Sequence, residues 1–106
     1  MRIAFRMRVE SGHEAEYIRR HNPIWSELEA ALKAHGVESY SIFLDRATGD
    51  LFAYAEVEDL QRWEAIAETD VCRRWWEHMA PLMPTHDDHS PVATELDEVF
   101  HIQADG

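Results

Sequence analysis

The constraint that bears hardest on this chain is a change of period. Ile3, Phe5, Met7 and Val9 alternate with Arg2, Ala4, Arg6 and Arg8, the period of two by which a strand buries one face. Ser11-Gly12 ends that run. From residue 13 to about residue 35, Tyr17, Ile18, Ile24, Trp25, Leu28, Ala31 and Leu32 recur at helical spacing, with Gly36 as the stop. Period two then returns twice, with Tyr40, Ile42 and Leu44 on one face of residues 37–46 and Leu51, Ala53, Ala55 and Val57 on one face of residues 51–58. Ala47-Thr48-Gly49-Asp50 turns one into the other, a hairpin. Asp59 can cap a second helical region. Residues 60–67 and 71–79 read as helical, with Thr69-Asp70 as a break or a fresh cap. Beyond Pro81, Pro84 and Pro91, residues 95–102 read as a closing strand with Leu96, Phe100 and Ile102 on one face.

Strand, helix, strand, strand, helix, strand is the order of a ferredoxin-like α+β fold, βαββαβ, one antiparallel sheet with helices on one face. The other face needs a cover, and a second copy of the chain is the economical one, so a homodimer is expected. Pro23 falls inside the first helical run. A proline there removes the hydrogen bond to the carbonyl of Arg19 and clashes with it, which predicts a kink between Tyr17 and His21 on one side and Trp25 on the other.

A chain of 106 residues makes one domain, spanning residues 1–106, that must house any site. Its 21 acidic against 10 basic residues, a formal charge of −11, exclude nucleic acid as a natural partner, since that binding neutralises phosphates with clustered Lys and Arg. Anionic membrane surfaces are disfavoured for the same reason. Cys72 is the single cysteine, so no internal disulfide forms, a reducing compartment fits, and packing is its simplest role. The start, Met1 to Arg6, has no apolar core of signal-peptide length, and no stretch approaches the roughly 20 apolar residues of a membrane span. A cytoplasmic protein acting on an uncharged small molecule is expected.

Chemistry-bearing side chains gather in two places. Tyr17 and His21 are four apart in Tyr17-Ile18-Arg19-Arg20-His21-Asn22-Pro23-Ile24-Trp25, so on a helix they share a face. Trp75 and Trp76 close the run that begins at Thr69 and offer flat apolar faces to a ring-shaped ligand. By spacing alone, Tyr17 and His21 fit packing better than catalysis, and the tryptophans fit a core or dimer anchor. His86-Asp87-Asp88-His89 carries metal-ligand residue types, but four in a row cannot converge on one ion, and a solvated tip is the simpler reading. Trp25 and Trp63 read as core.

Taken together, Arg19-Arg20-His21-Asn22-Pro23-Ile24-Trp25 with Glu27-Leu28-Glu29, Thr69-Asp70-Val71-Cys72 with Arg74-Trp75-Trp76, and Ser90-Pro91-Val92 with Glu98-Val99-Phe100 resemble the L-rhamnose mutarotase family. The resemblance runs from about Ile3 to Phe100. The departures are in residues 86–89 and in the tail Gln103-Ala104-Asp105-Gly106. It implies a dimeric α+β barrel of ferredoxin-like subunits that works without metal or organic cofactor. It also implies that His21 is the proton donor and that Tyr17, Tyr40, Trp75 and Trp76 bind the sugar L-rhamnose. These residue types suit an aldose 1-epimerase. Ring opening moves a proton onto the ring oxygen while the anomeric hydroxyl loses one, and a histidine with an ordinary pKa of about 6.5 can serve both directions. Two competing expectations stand beside this one. One is a cofactor-independent oxygenase, by fold analogy alone; the other is a module that binds a sugar without turning it over.

Overall fold

A computed structural model describes residues 1–104; Asp105 and Gly106 of the divergent tail lie outside the described residues. The strands are β1 (Arg2–Arg8), β2 (Val37–Leu44), β3 (Asp50–Val57) and β4 (Thr94–Leu96); the helices are α1 (Glu14–Arg20), α2 (Ser26–Ala34), α3 (Leu60–Ala65) and α4 (Asp70–Met79). The strands form one antiparallel sheet in the order β2-β3-β1-β4, the ferredoxin-like arrangement expected from the element order.

The period-two pattern decides which face is buried. Leu51, Ala53, Ala55 and Val57 of β3 are almost fully enclosed. Across the ladder Ala53 lies opposite Phe5 of β1 and Ile42 of β2, and Leu51 lies opposite Met7 and Leu44. Against this face pack Tyr17, Leu28, Val71, Trp75 and Met79 from the helices, with Leu82 and Met83. Each fully buried Leu or Val contributes on the order of 1.5–3 kcal/mol. The hairpin between β2 and β3 turns on Gly49, whose φ of +82° suits glycine alone and where an added Cβ would stand 2.9 Å from the Val9 carbonyl oxygen. The opposite face carries Phe43, 64 % exposed, directly across from Phe52.

Two expectations are corrected. The single kinked helix over residues 13–35 is two helices, because the helical ladder is interrupted over residues 21–25, between α1 and α2. Proline disfavours the helical region for the residue before it as well as lacking an N–H, so the ladder stops instead of bending. The Arg19 carbonyl is not left without a partner, since the Asn22 N–H donates to it at 3.2 Å. The last strand is three residues rather than eight: pairing with β1 ends at Leu96, and Val99, Phe100 and Ile102 stand exposed. The alternating pattern is present there, but no strand in the described chain pairs with it. The second helical region begins as expected. Asp59 accepts from the Arg62 N–H at 3.0 Å to cap α3, which tightens into a 3-10 turn over Ile66–Glu68. Thr69 then caps α4 by accepting from the Cys72 N–H.

Candidate active site

The helix layer does not close on the sheet everywhere. Between them lies a cavity of about 710 Å³, walled by α1, α2, α4 and the inner face of the sheet, and its lining includes Tyr17, His21, Tyr40, Trp75 and Trp76. All five residues singled out in the sequence therefore meet at one place, although Tyr17 and Trp76 lie more than half the chain apart.

His21 is the C-cap residue of α1 and is half-buried. Its ring stacks on Tyr17, centroids 4.4 Å apart, and meets Trp75 edge to face at 5.1 Å. The Nδ1 lies 2.9 Å from the backbone carbonyl of Tyr17. A carbonyl only accepts, so Nδ1 carries the proton and donates it there, and in the neutral ring Nε2 keeps a free lone pair. Burial lowers the pKa of His21, partly offset by that hydrogen bond; desolvation disfavours the charged ring. The resting group is a neutral imidazole with one nitrogen fixed and the other available.

Tyr17 is 6 % exposed and burial drives its phenol pKa upward. Tyr40, from β2, is raised by burial first and then by the neighbouring Tyr17 phenol and Cys72 thiol. Both phenols keep their protons at any working pH and act as neutral donors or acceptors. Cys72 also lines the cavity, but burial raises its thiol to about 11, so it is no nucleophile. Trp75 is buried between His21 and Trp25, while Trp76 is less enclosed; both line the cavity. Trp25, read as core, packs on Trp75 and His78 with centroids 5.1 Å away.

Trp63 departs from its expected role. It lines the cavity and forms a second aromatic cluster with Phe5 and Tyr40, at 6.3 and 5.6 Å. Its signal in the sequence is its spacing from Asp59: four residues past a good N-cap, and three before Ile66, it shares the inward face of a short helix. The tip at residues 86–89 folds on its own turn, with Asp88 accepting from the Ser90 N–H and hydroxyl. Among the described residues no group of three or more His, Cys, Asp or Glu side chains is arranged to hold a metal ion, and no helix is long and apolar enough to cross a membrane.

A mostly apolar chamber with one free imidazole nitrogen and two neutral phenols, on a ferredoxin-like sheet, defines a small α+β protein equipped to move protons on an uncharged ring. The model of the L-rhamnose mutarotase family matches residues 2–102, and the chain belongs to that family. A curated relative from Opitutus terrae, named L-rhamnose mutarotase, is 58% identical over 96% of this chain and 98% of its own. The crystal structure of an L-rhamnose mutarotase from Formosa agariphila superposes with a TM-score of 0.88 at 39% identity, covering 97% of this chain and 99% of that one. An antibiotic biosynthesis monooxygenase, with a TM-score of 0.63 at 10% identity over 92% of this chain and 97% of that one, is alike in fold alone.

Proposed function

We propose that this chain is an isomerase that interconverts the α and β anomers of L-rhamnose, with His21 as its acid/base group. The observation that carries the proposal is the tethered imidazole: Nδ1 bound to the Tyr17 carbonyl at 2.9 Å, Nε2 free, in a cavity walled by aromatic rings. Both oxygens that change protonation are bonded to the same carbon, C1, so one nitrogen can serve both. Nε2 takes the proton of the anomeric hydroxyl, and the imidazolium formed donates it to the ring oxygen as the C1–O bond to that oxygen breaks. The open aldehyde turns about C1–C2, and the same transfers in reverse close the other anomer. No net proton or electron is gained or lost.

Tyr17 and Tyr40 orient sugar hydroxyls as neutral phenols, and Trp75 and Trp76 supply apolar faces for the C–H side and the methyl group of a 6-deoxy sugar. The lowered pKa of His21 makes its imidazolium a ready donor and keeps most of the enzyme in the neutral, accepting form near pH 7. The whole chain works as one catalytic domain. A second copy completes the fold by covering the face that carries Phe43 and Phe52, giving a homodimer. The oxygenase alternative has only the likeness of fold.

The test is anomer exchange of L-rhamnose followed by saturation-transfer NMR. The wild type is expected to accelerate exchange, and His21→Ala to lose about 10² to 10⁴ of that acceleration. A wild type that leaves exchange at the rate in buffer overturns the proposed activity; full activity in His21→Ala overturns the role of His21 alone.

A further inference from the structure

Arg20 is the last residue of α1, and its side chain does not enter the cavity. Its Nε donates to Glu16 Oε2 at 2.6 Å and its Nη1 to the backbone carbonyl of His78 at 2.5 Å. That carbonyl lies in the last turn of α4, where helix carbonyls lack partners along the helix and the negative end of the helix dipole favours a cation. Glu16 is held ionised, its pKa lowered to about 2 by hydrogen bonds from Arg19 and Arg20, so it fixes one end of the Arg20 fork. Helix α1 has seven residues, no side-chain cap at its start and a break after it, and a helix that short does not hold its shape without tertiary contacts.

We propose that Arg20 is a positioning residue for His21: by bonding the His78 carbonyl it holds the end of α1 against α4 and sets the edge-to-face contact of His21 with Trp75. Two parallel pairs on one short helix divide the work. Tyr17 and His21 face the cavity, and Glu16 and Arg20, one residue earlier in each case, lock the same turn to α4. The guanidinium reaches two acceptors with separate nitrogens; a lysine ammonium at this position meets one acceptor well and holds the geometry less firmly.

The proposal rests on His21 being the proton-carrying group, and its test separates the two. In the free protein, NMR reads the ring-current shifts of the His21 ring protons beside Trp75 and Tyr17. Arg20→Gln is expected to move these toward random-coil values and Arg20→Lys to keep part of the shift, while signals of the Phe5 and Trp63 pair stay in place. In anomer exchange, Arg20→Gln is expected to lower kcat about 10-fold or more, as small misplacements of reacting groups do, with KM within about twofold and partial rescue in Arg20→Lys. Wild-type His21 shifts in Arg20→Gln, or a rise in KM with kcat intact, overturn the proposal. If Arg20→Gln does not fold, Arg20→Lys and Glu16→Gln carry the same two measurements, and unchanged shifts and kcat in both overturn it. A wild type without exchange activity removes the catalytic reading and leaves the NMR result to judge the positioning.

Discussion

Tyr17 holds His21 twice over, by its ring at 4.4 Å between centroids and by its backbone carbonyl at 2.9 Å from Nδ1. Neither contact uses the phenol hydroxyl, and among the described residues no protein group hydrogen-bonds it. Tyr17→Phe therefore leaves the histidine in place and removes only the phenol oxygen, which on the proposed function orients a sugar hydroxyl. We expect KM for L-rhamnose to rise roughly 5-fold, the worth of a hydrogen bond of about 1 kcal/mol, with kcat falling far less than in His21→Ala. Saturation-transfer measurements across a range of sugar concentration check both; an unchanged KM removes the Tyr17 hydroxyl from the site.

The pH dependence stems from the lowered pKa of His21. Catalysis that begins with neutral Nε2 is lost as pH falls through the native pKa, so the acid limb of kcat/KM is expected below the ordinary value of about 6.5, with a plateau through neutral pH. Stability moves in the same sense. Between the depressed native pKa and the unfolded value the unfolded chain binds more protons, so this residue's contribution is fully present above about pH 6.5 and declines as pH falls through that window. Thermal unfolding of wild type and His21→Ala between about pH 5 and 8 measures the difference, which should shrink on the acid side.

Trp63 lines the chamber from α3, against Tyr40 and Phe5. On the proposed function, its indole would extend the apolar wall that Trp75 and Trp76 offer, which disfavours a hydroxymethyl in place of a methyl group at C6. Trp63→Ala is expected to raise KM for L-rhamnose and to reduce its preference over L-mannose by about 10-fold, within the range a hydrophobic pocket supplies for one small group. Equal losses for both sugars would make Trp63 a packing residue only.

The uncovered sheet face presents Phe43 beside Phe52, and a charge placed at its centre opposes burial against a second copy. Phe52→Glu is expected to sediment as a monomer where the wild type sediments as a dimer. A dimer of undiminished stability in this variant would move the interface elsewhere.

What the sequence discloses here divides along physical lines. Alternation over residues 3–9 and 51–58 reports the sheet because each strand has one buried and one open face, and the alternation survives whatever surrounds it. Tyr17 and His21 are legible as neighbours because helical spacing is local. The break at residues 21–25 looks like a kink in the sequence because period 3.6 continues across it in side-chain type, while the backbone ladder does not. The closing strand comes out too long because period two over residues 95–102 marks a segment fit to pair, and pairing also needs a neighbour. Trp63 reads as core because core and cavity wall select the same side chains; only the space in front of an indole tells them apart.

The separation of α1 from α2 has a practical side. No hydrogen-bond ladder runs between Glu14–Arg20 and Ser26–Ala34, so the two helices are coupled through α4 instead, which holds the second by the Arg74–Glu27 pair and the first by the bond from Arg20 to the His78 carbonyl. Substitutions at Ala30 and Ala34, open to solvent on the outer surface of α2, are therefore the ones expected to leave the stacking of His21 on Tyr17 undisturbed, whereas a change at Glu27 reaches α4 through its pair with Arg74.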